Sequence, residues 1–387
     1  MPVHRPPGSA RGTVFVTIAE LEAWRNSSTP PPPEVVAPRN GRKITILSGA
    51  SLLILMVIGS ILWARWHGPN PASARVEGNR LLVSDAQGRL LWEKTFEDGL
   101  LTATYGPAVL DPGRFWRFVD VDADGQTEVL FSYWPPDYLS HGVELHCYSR
   151  AGDLKWRFIP GRPVSTRVER FAMPFGVRVF APVRLGPGRG TALVVASTHI
   201  LYYSSQVAVL SGSGKVLREY WHSGLLEHIA VHDWNNDGAD EVYLGGINNA
   251  RHCATVAALD PRNLDGAGQE NNLDYQLQGF PPPTELARIF FPRSCANRKL
   301  QPYNSVHRLS FVGDQMVVSV QEGPSGSEAG GLNLYHFSRD LHLQSFSIGD
   351  TFREFHAHLY SSNQIDHPLN SKEESDLREV QAVKTNN

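Results

Sequence analysis

Hydrophobic positions along the 387-residue chain follow three different patterns. Residues 1–43 are interrupted by Pro and rich in Pro and Arg. Residues 44–64 read ITILSGASLLILMVIGSILWA, 21 positions without a charge. At about 1.5 Å per residue that run reaches roughly 31 Å, the thickness of a hydrocarbon core. From Ala74 to Tyr360, apolar residues alternate with polar ones in short runs bounded by Gly, Asn and Asp. That is the pattern of half-buried strands joined by tight turns. The 34 glycines and 27 prolines favour β architecture over helical bundles.

The alternating region repeats itself. LLVSDAQGRLLWEKTF (81–96), LHCYSRAGDLKWRFIPG (145–161) and AVLSGSGKVLREYWHSG (208–224) are each a strand, a glycine turn and a second strand carrying an aromatic. LNLYHFSRDLHLQSFSIG (332–349) is a looser copy without the glycine. A second unit precedes the hairpins: FVDVDADGQTEVLF (118–131) and VHDWNNDGADEVYL (231–244) align on Asp120 and Asp233. Between them RLGPGRGTALVVAS (184–197) keeps the strand without the carboxylates, and LSFVGDQMVVSVQ (309–321) keeps only Asp314. Four strands per module of about 60 residues describe a propeller blade, with room for about five between residues 74 and 362. The expected fold class is therefore all-β, a β-propeller of about five four-stranded blades preceded by one transmembrane helix and a short cytoplasmic segment. Residues 352–360 are expected to supply strands that close the ring. Residues 262–306 read as a loop insert, and residues 363–387 as a polar tail that frays.

The two acidic loops carry oxygen donors at alternate positions. Asp120, Asp122, Asp124, Gln126 and Glu128 fill the first loop; Asp233, Asn235, Asp237, Ala239 and Glu241 fill the second, with Gln126 and Ala239 acting through backbone carbonyls. Such a set wraps one hard cation, and glycine at the sixth position permits the sharp turn. Each loop is thus a candidate Ca2+ site; the competing reading is an Asp turn whose side chains bond only nearby N–H groups. D-x-[DN]-x-D-G-x-x-E-V followed by a strand resembles the FG-GAP, or VCBS-type, repeat of integrin-like propellers, over about three quarters of the chain. The resemblance implies two structural calcium ions fixing turns between blade strands.

Arg39, Arg42 and Lys43 precede the apolar run closely, whereas Arg65 alone follows it, and Trp63 and Trp66 sit at its far end. The positive-inside rule places residues 1–43 in the cytoplasm and residues from about 67 onward outside. A cleaved signal peptide, with a site near Ala72-Ser73-Ala74, is the rival; the length of the run and its 43-residue leader favour an uncleaved anchor. Residues 29–43 form a Pro-rich linker and basic flank. In the head, residues 1–28, Val14-Phe15-Val16 is a strand signal and Thr17 with Glu20 a capping box. This stretch resembles the end of an excisionase- or MerR-like winged helix-turn-helix domain, with His4, Arg5 and Arg11 on or near the wing. The helices that enter the major groove are absent from it, so the expectation is a remnant or a start upstream of Met1, with a disordered basic tail as the competing reading, and no nucleic acid bound by this chain as written.

Net charge is −3, but residues 1–43 hold six Lys/Arg against three Glu, leaving no basic surplus in the rest. Three cysteines exclude a disulfide scaffold; Cys253 and Cys295 bracket the insert and are a candidate bridge, and Cys147 reads as a buried thiol. Trp92 and Trp156 resemble the blade tryptophans of quinoproteins and read as packing residues. His356 and His358 would share a face of a strand near Asp366 and His367, without a third ligand of firm spacing. No nucleophile elbow, phosphate loop or defensible triad is present, and no catalytic residue is assigned. The expected function is a membrane-anchored extracytoplasmic module recognising a protein or glycan, which becomes the sensor of a membrane-bound regulator if a complete DNA-binding head lies upstream; the alternative is a hydrolase or lyase on the same scaffold.

Overall fold

The computed structural model describes residues 4, 14, 16–27, 68–106, 112–202, 204–324 and 331–384. Two compact units divide the chain, Met1–Trp66 and His67–Asn387. In the first, helix α1 (Ile18–Ser27) starts as the capping box requires: Glu20 Oε2 accepts from the Thr17 amide at 3.2 Å, and Thr17 Oγ1 accepts from the Glu20 amide at 3.4 Å. No residue of α1 is buried, and Val14 and Val16 stand outside any strand; Phe15 between them lies outside the described residues. The apolar run 44–64 and the linker before it lie outside the described residues. Among the described residues no helix is long and apolar enough to cross a membrane.

The second unit is antiparallel β structure. Sheet A comprises β1 (Ser73–Glu77), β2 (Arg80–Ser84) and β3 (Leu90–Thr95). Sheet B holds β4 (Trp116–Val119), β5 (Glu128–Tyr133), β6 (Glu144–Tyr148) and β7 (Leu154–Phe158), with a single helical turn, α2 (Tyr138–His141), between β5 and β6. After a short hairpin, β8 (Val164–Ser165) with β9 (Arg170–Phe171), sheet C follows: β10 (Phe175–Arg184), β11 (Thr191–His199), β12 (Ser205–Leu210) and β13 (Val216–His222). Sheet D holds β14 (Leu226–His232), β15 (Glu241–Asn248), β16 (Cys253–Leu259) and β17 (Ala287–Phe290). Helix α3 (Cys295–Leu300) leads to sheet E: β18 (Ser305–Val312), β19 (Gln315–Gln321), β20 (Leu332–Phe337) and β21 (Leu343–Ile348). Helices α4 (Asp350–Ser361) and α5 (Ser371–Asp376) precede β22 (Gln381–Lys384), which pairs with β17 as the fifth strand of sheet D. Within sheets A, B, C and E, spatial order is chain order.

The middle strands explain how the sheets stack. Every residue of β12, β15 and β16 is buried, so each central strand is covered on both faces, whereas β3 and β7 expose most of theirs. Aliphatic clusters fill the spaces between sheets: Val183, Val194, Val209, Val242 and Leu244 between C and D, and Tyr243, Val256, Val306 and Val318 between D and E. Tryptophans of the outer strands clasp the neighbouring sheet. Trp92 Nε1 donates to the Arg150 carbonyl at 3.0 Å, and Trp156 Nε1 donates to the Gly212 carbonyl at 2.8 Å. Each ring lies on the next glycine turn; a Cβ at Gly214 would come 2.6 Å from Trp156 Cδ2. Both are packing residues.

Three expectations are corrected. Residues 352–360 form helix, not strand, because Phe352, Phe355, His356 and Leu359 recur at helical spacing and dock one face; Phe352, His356 and Leu359 are buried. The 262–306 segment is no mere loop, since its residues 287–290 are the strand β17. Residues 363–387 do not simply fray: α5 buries Glu373, and β22 is hydrogen-bonded into a sheet.

Candidate functional site

The two acidic loops connect β4 to β5 and β14 to β15, and their geometry is nearly identical. Asp120 accepts from the Asp124 and Gly125 amides at 3.2 and 2.9 Å; Asp233 accepts from the Asp237 and Gly238 amides at 3.1 and 3.0 Å. Asp124 Oδ1 accepts from Gln126 N, and Asp237 Oδ1 from Ala239 N, both at 2.8 Å. Glu128 and Glu241, buried at the head of the following strand, reach back to the amides of Val121 and Trp234 at 3.0 and 2.8 Å. Left-handed backbone at Ala123 and Gly125, and at Asn236 and Gly238, makes the turn. The ten residues read from sequence thus fall into two matching sets, each four loop residues and the first residue of the following strand.

Each loop also meets a cation from its own protein. Lys155 Nζ lies 2.6 Å from Asp122, 2.9 Å from Glu128 and 3.7 Å from Asp124. Arg262 lies 2.7 Å from Asp237 and 3.8 Å from Glu241. Burial pushes the Glu128 and Glu241 carboxyls up, against the pull of these cations and backbone donors. Burial alone would lower Lys155, but its bonds to Asp122 and Glu128 hold it above the usual lysine range. One carboxylate oxygen from each of Asp120, Asp122 and Asp124 falls within 4.8 Å of the others. The first loop therefore fits a hard cation if Lys155 swings out; in the second, Asn235 replaces a carboxylate and Arg262 is the rival.

Strand direction places a groove at the other end of sheets C and D. It encloses about 440 Å³ and is lined by Glu169, Phe171, Tyr202, Asn249, Asp274 and Tyr275 among others. His199 positions one wall: its Nδ1 accepts from the Leu201 and Tyr202 amides at 3.2 and 3.1 Å, and its ring centroid is 5.2 Å from that of Tyr202. Burial lowers its pKa and keeps it neutral, as that acceptor role requires. The opposite wall is the segment after β16, where Asp274 takes a 2.5 Å ion pair from Arg167. The Ser204 hydroxyl lies in the lining, buried and without a hydrogen-bond partner among the described residues.

A network of charge holds that wall. Arg288 NH1 is 2.8 Å from Glu270 and its Nε 2.9 Å from Glu285, all three side chains at most 4 % exposed. Asn248 donates to both Glu270 oxygens at 3.0 Å, and the Tyr220 hydroxyl donates to Glu285 at 2.7 Å. Sequence reading missed the groove because its lining comes from five separated segments; the aromatic and Asn-rich composition of 269–275 was the available signal.

The candidate bridge between Cys253 and Cys295 is not formed. All three cysteines are free: Cys253 is buried at the start of β16, while Cys295 heads α3 with its sulfur 3.5 Å from His356 Nε2. Cys147 is a buried thiol in β6. His356 and His358 do not share a face, because two residues on a helix turn through about 200°; His356 is buried and His358 exposed.

No family model and no curated protein matches the chain. Among solved structures, a protein of unknown function from Bacteroides caccae aligns over 74 % of this chain and 96 % of its own at 13 % identity, with a TM-score of 0.27. The Vibrio cholerae biofilm matrix protein Bap1 aligns over 61 % of this chain and 39 % of its own at 14 % identity, with a TM-score of 0.29.

Proposed function

We propose that the chain is a single-pass membrane protein whose second unit, a five-bladed calcium-supported propeller of the FG-GAP/VCBS type, stands outside the cytoplasm and recognises a glycan. Sheets A to E are the blades, and residues 44–64 the anchor. The groove between sheets C and D carries the reading: Phe171, Tyr202 and Tyr275 offer apolar ring faces, and Asn249, Asp274 and Ser204 offer polar partners, the pairing a sugar ring requires. The acidic loop of sheet D lies at the end of that sheet away from the groove, and the other acidic loop belongs to sheet B, so calcium would stiffen both turns without touching ligand. The same groove would serve the sensor of a membrane-bound regulator.

The test is binding of the detergent-solubilised full chain to an immobilised oligosaccharide panel. Tyr202→Ala and Tyr275→Ala should each abolish retention of any glycan bound; equal retention by both variants rejects the groove. Calcium is tested separately, by a rise in Tm between excess EGTA and millimolar Ca2+.

A second reading, a hydrolase or lyase, draws on a pocket of about 470 Å³ beside sheets A and B, where Tyr133, His141, Glu144, His146 and Arg157 gather. His146 weakens it, because both ring nitrogens are engaged, with Tyr148 at 3.0 Å and Glu144 at 2.9 Å. Release of reducing ends or unsaturated products from a bound glycan would establish the enzyme and displace the recognition reading.

A further inference from the structure

We propose that Cys295, His356, His367 and Glu373 form a structural zinc site that clamps α4 and α5 to α3. The four residues come from separate elements: the first position of α3, the middle of α4, the loop after α4 and the first turn of α5. One ligand atom from each lies within 4.8 Å of all the others. Cys295 Sγ is 3.5 Å from His356 Nε2, which is 3.0 Å from Glu373 Oε2; His367 Nδ1 is 3.9 Å from that same oxygen. A tetrahedral zinc ion with ordinary bond lengths sets sulfur–nitrogen edges of about 3.6 Å and nitrogen–oxygen edges of about 3.4 Å. The observed spacings bracket those values. A thiolate, two imidazoles and a carboxylate are also the donor types that select zinc over calcium or magnesium.

A hydrogen-bonded Cys–His–Glu relay is the rival, and the geometry opposes it. A relay needs one imidazole nitrogen on the thiol and the other on the carboxylate. Here Nε2 meets both, and Nδ1 is buried without a partner. The donors converge on a point instead of forming a line. The shell around them is built: the Cys295 amide donates to Glu373 Oε1 at 2.8 Å, which leaves Oε2 turned to the cluster, and Asn370 Oδ1 accepts from the Glu373 amide at 3.0 Å. His367 Nδ1 lies 2.9 Å from the Pro368 carbonyl, a contact it gives up on binding metal. Binding releases the Cys295 thiol proton and any proton on the ligating imidazole nitrogens. The apolar cluster between α3 and α4 is small, burying Ala296, Leu359 and Ile365, and a second small cluster buries Phe352 and Leu377, so a staple has something to add.

The experiment uses the full chain, purified under reducing conditions, stripped with chelator, exchanged into chelator-free buffer with excess Ca2+ so that the acidic loops are saturated, and then titrated with Zn2+ and with Co2+. We expect one zinc per chain and a cobalt spectrum with a thiolate charge-transfer band and strong tetrahedral visible bands. Cys295→Ser should remove the band. His367→Ala, at a side chain 41 % exposed and so safe for folding, should weaken zinc binding at least tenfold. No stoichiometric zinc, cobalt binding without the thiolate band, or unchanged affinity in His367→Ala would each overturn the site.

Discussion

Replacing Arg288 by Met removes the only cation from a buried set of three charges. Glu270 has no exposed side-chain surface and Glu285 only 4 %, so both carboxylates stay in the interior after the change. Breaking a buried pair from one side costs about 3–5 kcal/mol, because the partner's desolvation is no longer offset. Taking about 4 kcal/mol, the unfolding constant rises by roughly a thousandfold. Burial already pushes the Glu270 carboxyl up, and Arg288 pulls it down. Without the guanidinium, the native state takes up a proton at a pH where the unfolded chain does not. Stability of the variant therefore rises as pH falls through that raised pKa towards the ordinary carboxylate value. Urea denaturation at pH 8 and pH 5 reads this directly: the deficit against the parent should be largest at pH 8 and shrink at pH 5. The triple variant Arg288→Met, Glu270→Gln, Glu285→Gln should recover more than half of the loss at pH 8. A cost below about 1 kcal/mol, or one independent of pH, would refute the reasoning that Arg288 is the main compensation for the two buried carboxylates.

Three further outcomes are expected. His222 is fully buried, with Nε2 donating to the Ile247 carbonyl at 3.1 Å, and burial, then the Arg288 charge, brings its pKa from 6.5 to about 3. Its contribution is complete above about pH 6.5 and is lost as pH falls towards 3, by at most about 1.4 kcal/mol per pH unit; His222→Gln should flatten that limb of a denaturation–pH profile. Lys155→Met strands the buried Glu128, costing about 3 kcal/mol in EGTA and much less in saturating Ca2+, so the calcium-induced rise in Tm should exceed that of the parent; an equal rise would place the ion away from Lys155. Gly88 and Gly214 have the same turn conformation, φ +76° and +78°, but only Gly214 carries a tryptophan ring. Gly88→Ala should cost about 1 kcal/mol and Gly214→Ala about 1–3 kcal/mol more, a difference that isolates the clasp.

Short-range features were legible in the sequence. The glycine turns at Gly88, Gly152 and Gly214 each close a two-stranded hairpin, because left-handed backbone at a fixed position leaves few alternatives. The acidic loops were legible residue by residue for the same reason: Asp120 and Asp233 bond amides four and five positions on. Three kinds of feature were not legible. Phe352, Phe355, His356 and Leu359 do carry the helical period, but the search for a missing strand took the alternating His356 and His358 instead. The cluster of Cys295 with His356 joins residues 61 apart, and the groove joins Phe171 to Tyr275; no local spacing announces either. Buried charge was illegible too, since Arg288 and Glu270 look like ordinary surface residues until the chain between them is folded back.

The pairing of β22 with β17 bears on the order in which the unit is made. Sheets A, B, C and E close through neighbours in the chain, and each can assemble as soon as its own residues are available. Sheet D cannot, because its fifth strand is about ninety residues downstream of the strand it joins. During synthesis, the free edge of β17 waits unpaired while all of sheet E and three helices are produced. Any process that stalls the chain before residue 381 leaves that edge open to a strand from another molecule. Truncated products should associate, and full-length product should not.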